Sequence, residues 1–181
     1  MQIMDSPARY GAVTRFFHWT IATLIFWQLA SMVPINTLGR ENALAGFMTG
    51  THGTVGFAVF VLVVFRGFWA LINLGRRSGH GQGLLGLAAK LGHLALYALM
   101  IVVPGVALLR AYGGERAFSV FGVQIFAPRA PDQVNQSLVD LGSNWHGELA
   151  WLLAVLILGH VVMAVVHTAV MKDRTMARMA G

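Results

Sequence analysis

Four apolar runs, each long enough to cross a hydrocarbon core of about 30 Å, limit what this chain can become, because a run of about 20 such residues reads as a membrane-crossing helix. The spans are expected at about 13–33, 50–72, 87–111 and 145–170. The first carries His18, Trp19, Trp27 and Gln28 and stops near Pro34; it is too long for a signal-peptide core and reads as a retained helix. The second opens Thr51-His52-Gly53-Thr54-Val55-Gly56 and closes around Arg66 and Trp69. Lys90 and His93 stand near the start of the third, which also holds Pro104-Gly105, where a kink is expected. The fourth opens Trp145-His146-Gly147-Glu148, continues through His160 and His167, and leads into Lys172, Arg174 and Arg178. Short links at 35–49 and 75–86, the latter glycine-rich with His80, and one long link at 113–143 join them. The expectation is a single domain over 1–181, an all-α four-helix bundle set in the bilayer.

Composition agrees: 56% of residues are hydrophobic and 11% charged, far from ordinary soluble usage. The chain has no cysteine, which removes disulfides, zinc-thiolate sites, iron–sulfur clusters and thioether-attached haem. Histidine, methionine or carboxylate must hold any metal. A net charge of +6 invites a nucleic-acid reading, but the basic residues cluster at the ends of the apolar runs, where lipid headgroups meet them. With four spans both termini share one side. That side carries Arg9, Arg15, Arg66, Arg76, Arg77, Lys90, Lys172, Arg174 and Arg178, against Arg40, Arg110, Arg116 and Arg129 on the other. The positive-inside rule therefore puts both termini in the cytoplasm.

The histidines carry the chemistry. At 100° per residue His146 and His160 come within about 40° of one face, and their rise of about 21 Å covers most of the membrane. His18 opens an outward-running span and His52 an inward-running one, so His18 matches the depth of His160, and His52 that of His146. Ionisable groups inside a membrane are costly and face the bundle interior, which makes each a functional-site hypothesis. Imidazoles on facing helices at one depth suit the two axial positions of a haem iron. Gly53, Gly56, Gly147 and Gly159 beside them leave room for a flat macrocycle. The competing reading is that the histidines hydrogen-bond between helices and the glycines only permit close packing.

Arg15-Phe16-Phe17-His18-Trp19, Thr51-His52-Gly53-Thr54-Val55-Gly56, Gly92-His93-Leu94-Ala95-Leu96-Tyr97 and Trp145-His146 with His160 and His167, in that order, resemble the bacterial cytochrome b561 family. The resemblance covers nearly the whole chain and implies a four-helix dihaem protein of the bacterial inner membrane. It implies that His18 and His160 ligate one b-type haem (the inner) and His52 and His146 the other (the outer), with iron as the bound metal. Some relatives oxidise superoxide outside the membrane and reduce ubiquinone, so the resemblance also implies a superoxide:quinone oxidoreductase type of activity.

Bis-histidine ligation leaves iron no open position and favours electron transfer over oxygen chemistry. A quinone would need donors for its carbonyl oxygens and a proton source; His167, His93, Lys90 and Arg15 gather by depth near the inner pair, with His167 as the proton donor. Lys90 and the arginines serve equally well as snorkelling anchors. On the outer side Arg110, Arg116 and Arg129 are available to steer an anionic donor, and Glu148 reads either as a proton relay or as a headgroup-level anchor. Two other roles stay open: a haem-bearing membrane subunit of a larger dehydrogenase or hydrogenase, and a non-enzymatic transporter or scaffold with histidines as polar packing. A homodimer or a partner oxidoreductase is compatible with each.

Overall fold

The computed structural model describes residues 2–39, 41–77 and 83–180; Arg40 of the outer-side charge count and His80 of the glycine-rich link lie outside them. Four long helices dominate: α1 (Ala12–Ser31), prolonged by the short α2 (Val33–Thr37), then α3 (Ala43–Ile72), α4 (Gly83–Gly113) and α5 (Gln136–Ala169); a final short helix, α6, spans Thr175–Ala180. Four spans, the first taking in α1 and α2, are long and apolar enough to cross a membrane.

Local chemistry sets the helix ends. Pro34 cannot donate to the carbonyl four residues back, so α1 stops at Ser31 and a new helix starts with Pro34 in its first turn. Asn42 and Asn135 cap α3 and α5, their side chains accepting from the amides of Leu44 and Leu138. Because of that cap α5 begins at Gln136, well before the apolar run near 145; α4 likewise starts at Gly83 rather than 87. Pro104 lies within α4 without ending it.

The long link is not structureless. Phe118–Val120 (β1) and Val123–Phe126 (β2) form an antiparallel hairpin with Val120 opposite Val123 and an irregularity between Phe118 and Ser119. Phe121 and Gly122 at its tip have φ of 49° and 81°, the two left-handed residues that a tight two-residue hairpin turn requires. Phe118 seats the hairpin on α3: its ring lies 6.3 Å from that of Phe57, and a Cβ at Gly53 would stand 3.3 Å from it.

α1 packs on α3, α3 on α4 and α4 on α5. The buried core is small: Ile21 and Ile25 of α1, Val59 and Val63 of α3, Met100 and Val103 of α4, and Leu153 of α5. Large apolar side chains such as Phe26, Phe65, Leu94 and Trp151 instead point outward, as lipid-facing surfaces do. The tightest crossing is between α4 and α5, where a Cβ on Gly142 would overlap the Val106 carbonyl and the Arg110 side chain. Since a backbone carbonyl cannot swing aside, Gly142→Val is expected to prise the two helices apart at a cost of about 1–3 kcal/mol. Thermal unfolding in detergent reads this, and an unchanged midpoint would show the crossing to be looser than described.

Both termini meet at one end of the bundle, the termini end, opposite the hairpin end. Tyr10 N–H donates to Arg178 O at 3.2 Å and Trp19 Nε1 to Met179 O at 3.3 Å. The buried Asp5 carboxylate gathers this end, accepting from Gly11 N–H at 2.8 Å, Thr14 Oγ1 at 2.7 Å and Arg77 Nε at 2.7 Å. Its own amide donates to Asn73 Oδ1 at 3.0 Å.

Candidate functional site

The helix order brings imidazoles together at two levels. Toward the hairpin end His52 of α3 faces His146 of α5, with ring centres 6.0 Å apart and planes at 84°. Toward the termini end His18 of α1 faces His160 of α5 at 6.4 Å and 65°. The two levels sit on one helix, about 21 Å apart along α5.

These separations can be compared with what a shared metal needs. A metal–imidazole bond is about 2 Å long and the ring centre lies about 1 Å behind the ligating nitrogen, so two rings on opposite sides of one metal have centres about 6 Å apart. Both pairs stand at that separation. Among the described residues no three His, Asp or Glu side chains converge on a bare ion. Two facing imidazoles complete a six-coordinate iron only when the other four donors arrive in one plane, as a porphyrin supplies them.

At the hairpin end the proton positions also fit ligation. His146 Nδ1 lies 3.0 Å from Val103 O, and a carbonyl can only accept, so Nδ1 carries the proton and Nε2 is bare. Ser31 Oγ donates to Gln28 O at 2.8 Å and lies 2.9 Å from His52 Nδ1. Its single proton spent, the hydroxyl accepts from His52, which again leaves Nε2 bare. This is the arrangement by which metal-ligating histidines are oriented. Gln28 adds a hydrogen bond from Nε2 to His52 O at 3.1 Å, in space that a side chain at Gly56 would fill. Gly147 and Gly159, in contrast, face nothing within 4 Å.

The termini-end pair is more crowded. Arg66 Nη2 lies 3.2 Å from His18 Nδ1, and His93 of α4 stands 5.4 Å from His160, ring centre to ring centre, with Nδ1 2.7 Å from Ala89 O. Lys90, one turn before His93, is exposed, and Arg15, one turn before His18, is half-buried with its Nε buried and unbonded. His167 ends α5 in an ion-pair contact, Nδ1 to Asp173 Oδ2 at 2.6 Å. Hydrogen bonds from Thr175, then from His167, hold the Asp173 carboxyl down at about 2. The charged partner is therefore fully present above the usual carboxylate range and is lost only as pH falls toward about 2.

Toward the hairpin end Arg129 is committed: its guanidinium lies 4.6 Å over the Tyr112 ring and Nε donates to Tyr112 O at 2.9 Å. Arg110, Arg116 and Glu148 are exposed, the first lying against Gly142.

Several residues that shape these sites escape sequence reading: Ser31, Arg66 as a neighbour of His18, the Val103 carbonyl and Asp173. Only Asp173 carries a signal, a carboxylate a short step past a histidine at the end of a span.

A family model for prokaryotic cytochrome b561 matches residues 9–181. The chain belongs to this family. It is 29% identical over 183 residues to "Cytochrome b561 homolog 2" of Escherichia coli (strain K12), covering 100% of this chain and 96% of that protein. It is 28% identical over 176 residues to "Probable superoxide oxidase CybB" of Yersinia pestis, covering 94% of this chain and 95% of the relative. Cytochromes b561 bind haem b and carry electrons in membranes.

Proposed function

We propose that the protein is a dihaem cytochrome b561 that takes electrons from an extracytoplasmic one-electron donor, superoxide in the first instance, and delivers them to ubiquinone. The observation that carries this is the pair of imidazole couples, 6.0 Å and 6.4 Å between ring centres, at two levels of one bundle. The resemblance to a probable superoxide oxidase supports the donor. His52 and His146 would hold the outer haem, and His18 and His160 the inner. Such a group supplies a one-electron ferric/ferrous couple with no open coordination position.

The remaining roles fall to this chain's own side chains. The excess of Lys and Arg at the termini end supports a cytoplasmic position for that end. Arg110 and Arg116, exposed at the opposite end, attract an anion, while Glu148, exposed at the same end, offers a carboxylate for proton exchange with the solvent. At the cytoplasmic end His167, its ring held by the contact of Nδ1 with Asp173 Oδ2, passes a proton from water to a quinone oxygen. His93, Lys90 and Arg15 supply donors for the quinone's oxygens. In balance, two superoxide ions lose one electron each to become dioxygen, and the two electrons with two protons convert quinone to quinol.

Purified protein exposed to superoxide should show reduced b-haem bands and, with ubiquinone added, quinol formation that slows in His167→Ala at unchanged haem content. Failure of superoxide to reduce it sinks the donor assignment; absence of b-haem bands sinks the cytochrome reading for this chain. Ser31→Ala removes the acceptor that fixes the His52 ring, and retention of the outer haem is expected to weaken about 10–100-fold. Equal haem retention in Ser31→Ala and wild type would remove that orienting role.

A further inference from the structure

The two imidazole couples differ in one respect that bears on a residue without an assigned role. At the hairpin end each Nδ1 can be paired with an acceptor, which leaves Nε2 free to bind a metal. At His18 the neighbour of Nδ1 is Arg66 Nη2, and a guanidinium can only donate. A neutral His18 in that contact accepts at Nδ1 and carries its proton on Nε2, the nitrogen left for a metal. Ligation needs the reverse, a bare Nε2 and a protonated Nδ1, and the contact then sets donor against donor. Arg66 and a metal-bound His18 are therefore poor partners, and Arg66 must turn to something else.

What it turns to is constrained by charge. Arg66 lies within α3, its guanidinium 5.4 Å over the Tyr97 ring, and its Nε is buried with no hydrogen bond. Among the described residues the ion pairs are Arg77 with Asp5 and His167 with Asp173, so no carboxylate among them neutralises it. An arginine inside a membrane bundle normally finds a counter-charge. Arg15, one turn from His18, repeats the pattern with a second buried and unbonded Nε. Two such donors on the helices that carry and flank His18, with no acid among the described residues to meet them, describe a receptor for carboxylate groups that come from outside the chain.

We propose that Arg66 binds a carboxylate side chain of the haem held by His18 and His160, with Arg15 in support. This rests on the dihaem reading above, since haem b carries two such side chains and a planar guanidinium matches a carboxylate in a two-pronged contact. By tying down the porphyrin edge, Arg66 fixes the rotation of the macrocycle about the His18–His160 axis. Its charge also favours the reduced, less positive iron. The outer haem has no comparable arginine at His52 or His146 among the described contacts, so the effect belongs to one haem.

Redox titration of the purified holoprotein, followed through its visible bands, tests this in Arg66→Gln and Arg66→Lys. His52→Ala, which should keep only the haem at His18 and His160, serves to assign the inner haem's bands. With both haems retained in Arg66→Gln, the reduction equilibrium of the inner haem is expected to shift at least tenfold toward the oxidised form. For a one-electron couple that is about 59 mV. The outer haem should be unmoved and Arg66→Lys should recover part of the shift. Both haems retained with both potentials unchanged would overturn the role of Arg66 while leaving the dihaem reading intact. Wild-type protein without two b haems would overturn that reading first, and this inference with it. Should Arg66→Gln lose the inner haem, its return in Arg66→Lys supports the charge contact, and its absence from both variants overturns it.

Discussion

His52→Ala is expected to leave the protein with one haem per chain instead of two, the survivor being the one at His18 and His160. The geometry makes this the cleanest ligand deletion available. With His52 gone, His146 keeps its bond to Val103 O but faces no second imidazole among the described residues, and a single nitrogen cannot clamp a macrocycle from both sides. At the inner level the same experiment is less simple, because His93 stands 5.4 Å from His160, closer than His18 at 6.4 Å, and can take over as a ligand in His18→Ala. The pyridine haemochrome assay counts haem, and the reduced spectrum shows which component has gone. Two haems per chain in His52→Ala would remove His52 from the ligand set and with it the outer pair. His93→Ala should keep both haems and lose activity only at the quinone step.

The spans and the histidine levels were legible because both follow from periodicity and length, which local sequence carries. A bilayer enforces helix on any apolar run long enough to cross it, so His18, His52, His146 and His160 acquire depths as soon as the runs are bounded. The hairpin was not legible: Phe118 to Phe126 is a short apolar stretch whose turn depends on Phe121 and Gly122 adopting positive φ, and its docking depends on Gly53 being bare beneath Phe118. The partners of the imidazoles were hidden for a different reason. Ser31 is 21 residues from His52 and Arg66 is 48 from His18, so their proximity is a product of helix packing that no local pattern encodes. The same distance in sequence hid Asp5, which reads as an unremarkable acid in a polar leader until α3 brings Arg77 to it.

Asp5→Ala is expected to be the most damaging change away from the histidines, because three donors depend on one carboxylate that has no exposure. Gly11 N–H and Thr14 Oγ1 meet one oxygen and Arg77 Nε the other. The Asp5 side chain is 0% exposed and that of Arg77 22%, so water cannot fully replace the lost acceptor. Removing one partner of a buried ion pair costs about 3–5 kcal/mol, equivalent to a fall of about 10 °C in unfolding midpoint for a chain of this size. Asp5→Asn separates charge from shape: the amide oxygen can still serve Gly11 and Thr14, but its NH₂ meets the Arg77 donor head-on, so most of the loss should persist. The damage should also be directional. Thr14 accepts from Trp69 Nε1 at 3.0 Å and stands one turn before His18, so loosening it tilts the start of α1 and Arg15 with it. Haem held by His18 and His160 should then dissociate at lower temperature than haem held by His52 and His146, whose anchors, Ser31 and Val103, lie far from the termini. Simultaneous loss of both haems on heating Asp5→Ala would show that the bundle melts as one unit and that the carboxylate secures the whole fold rather than its termini end.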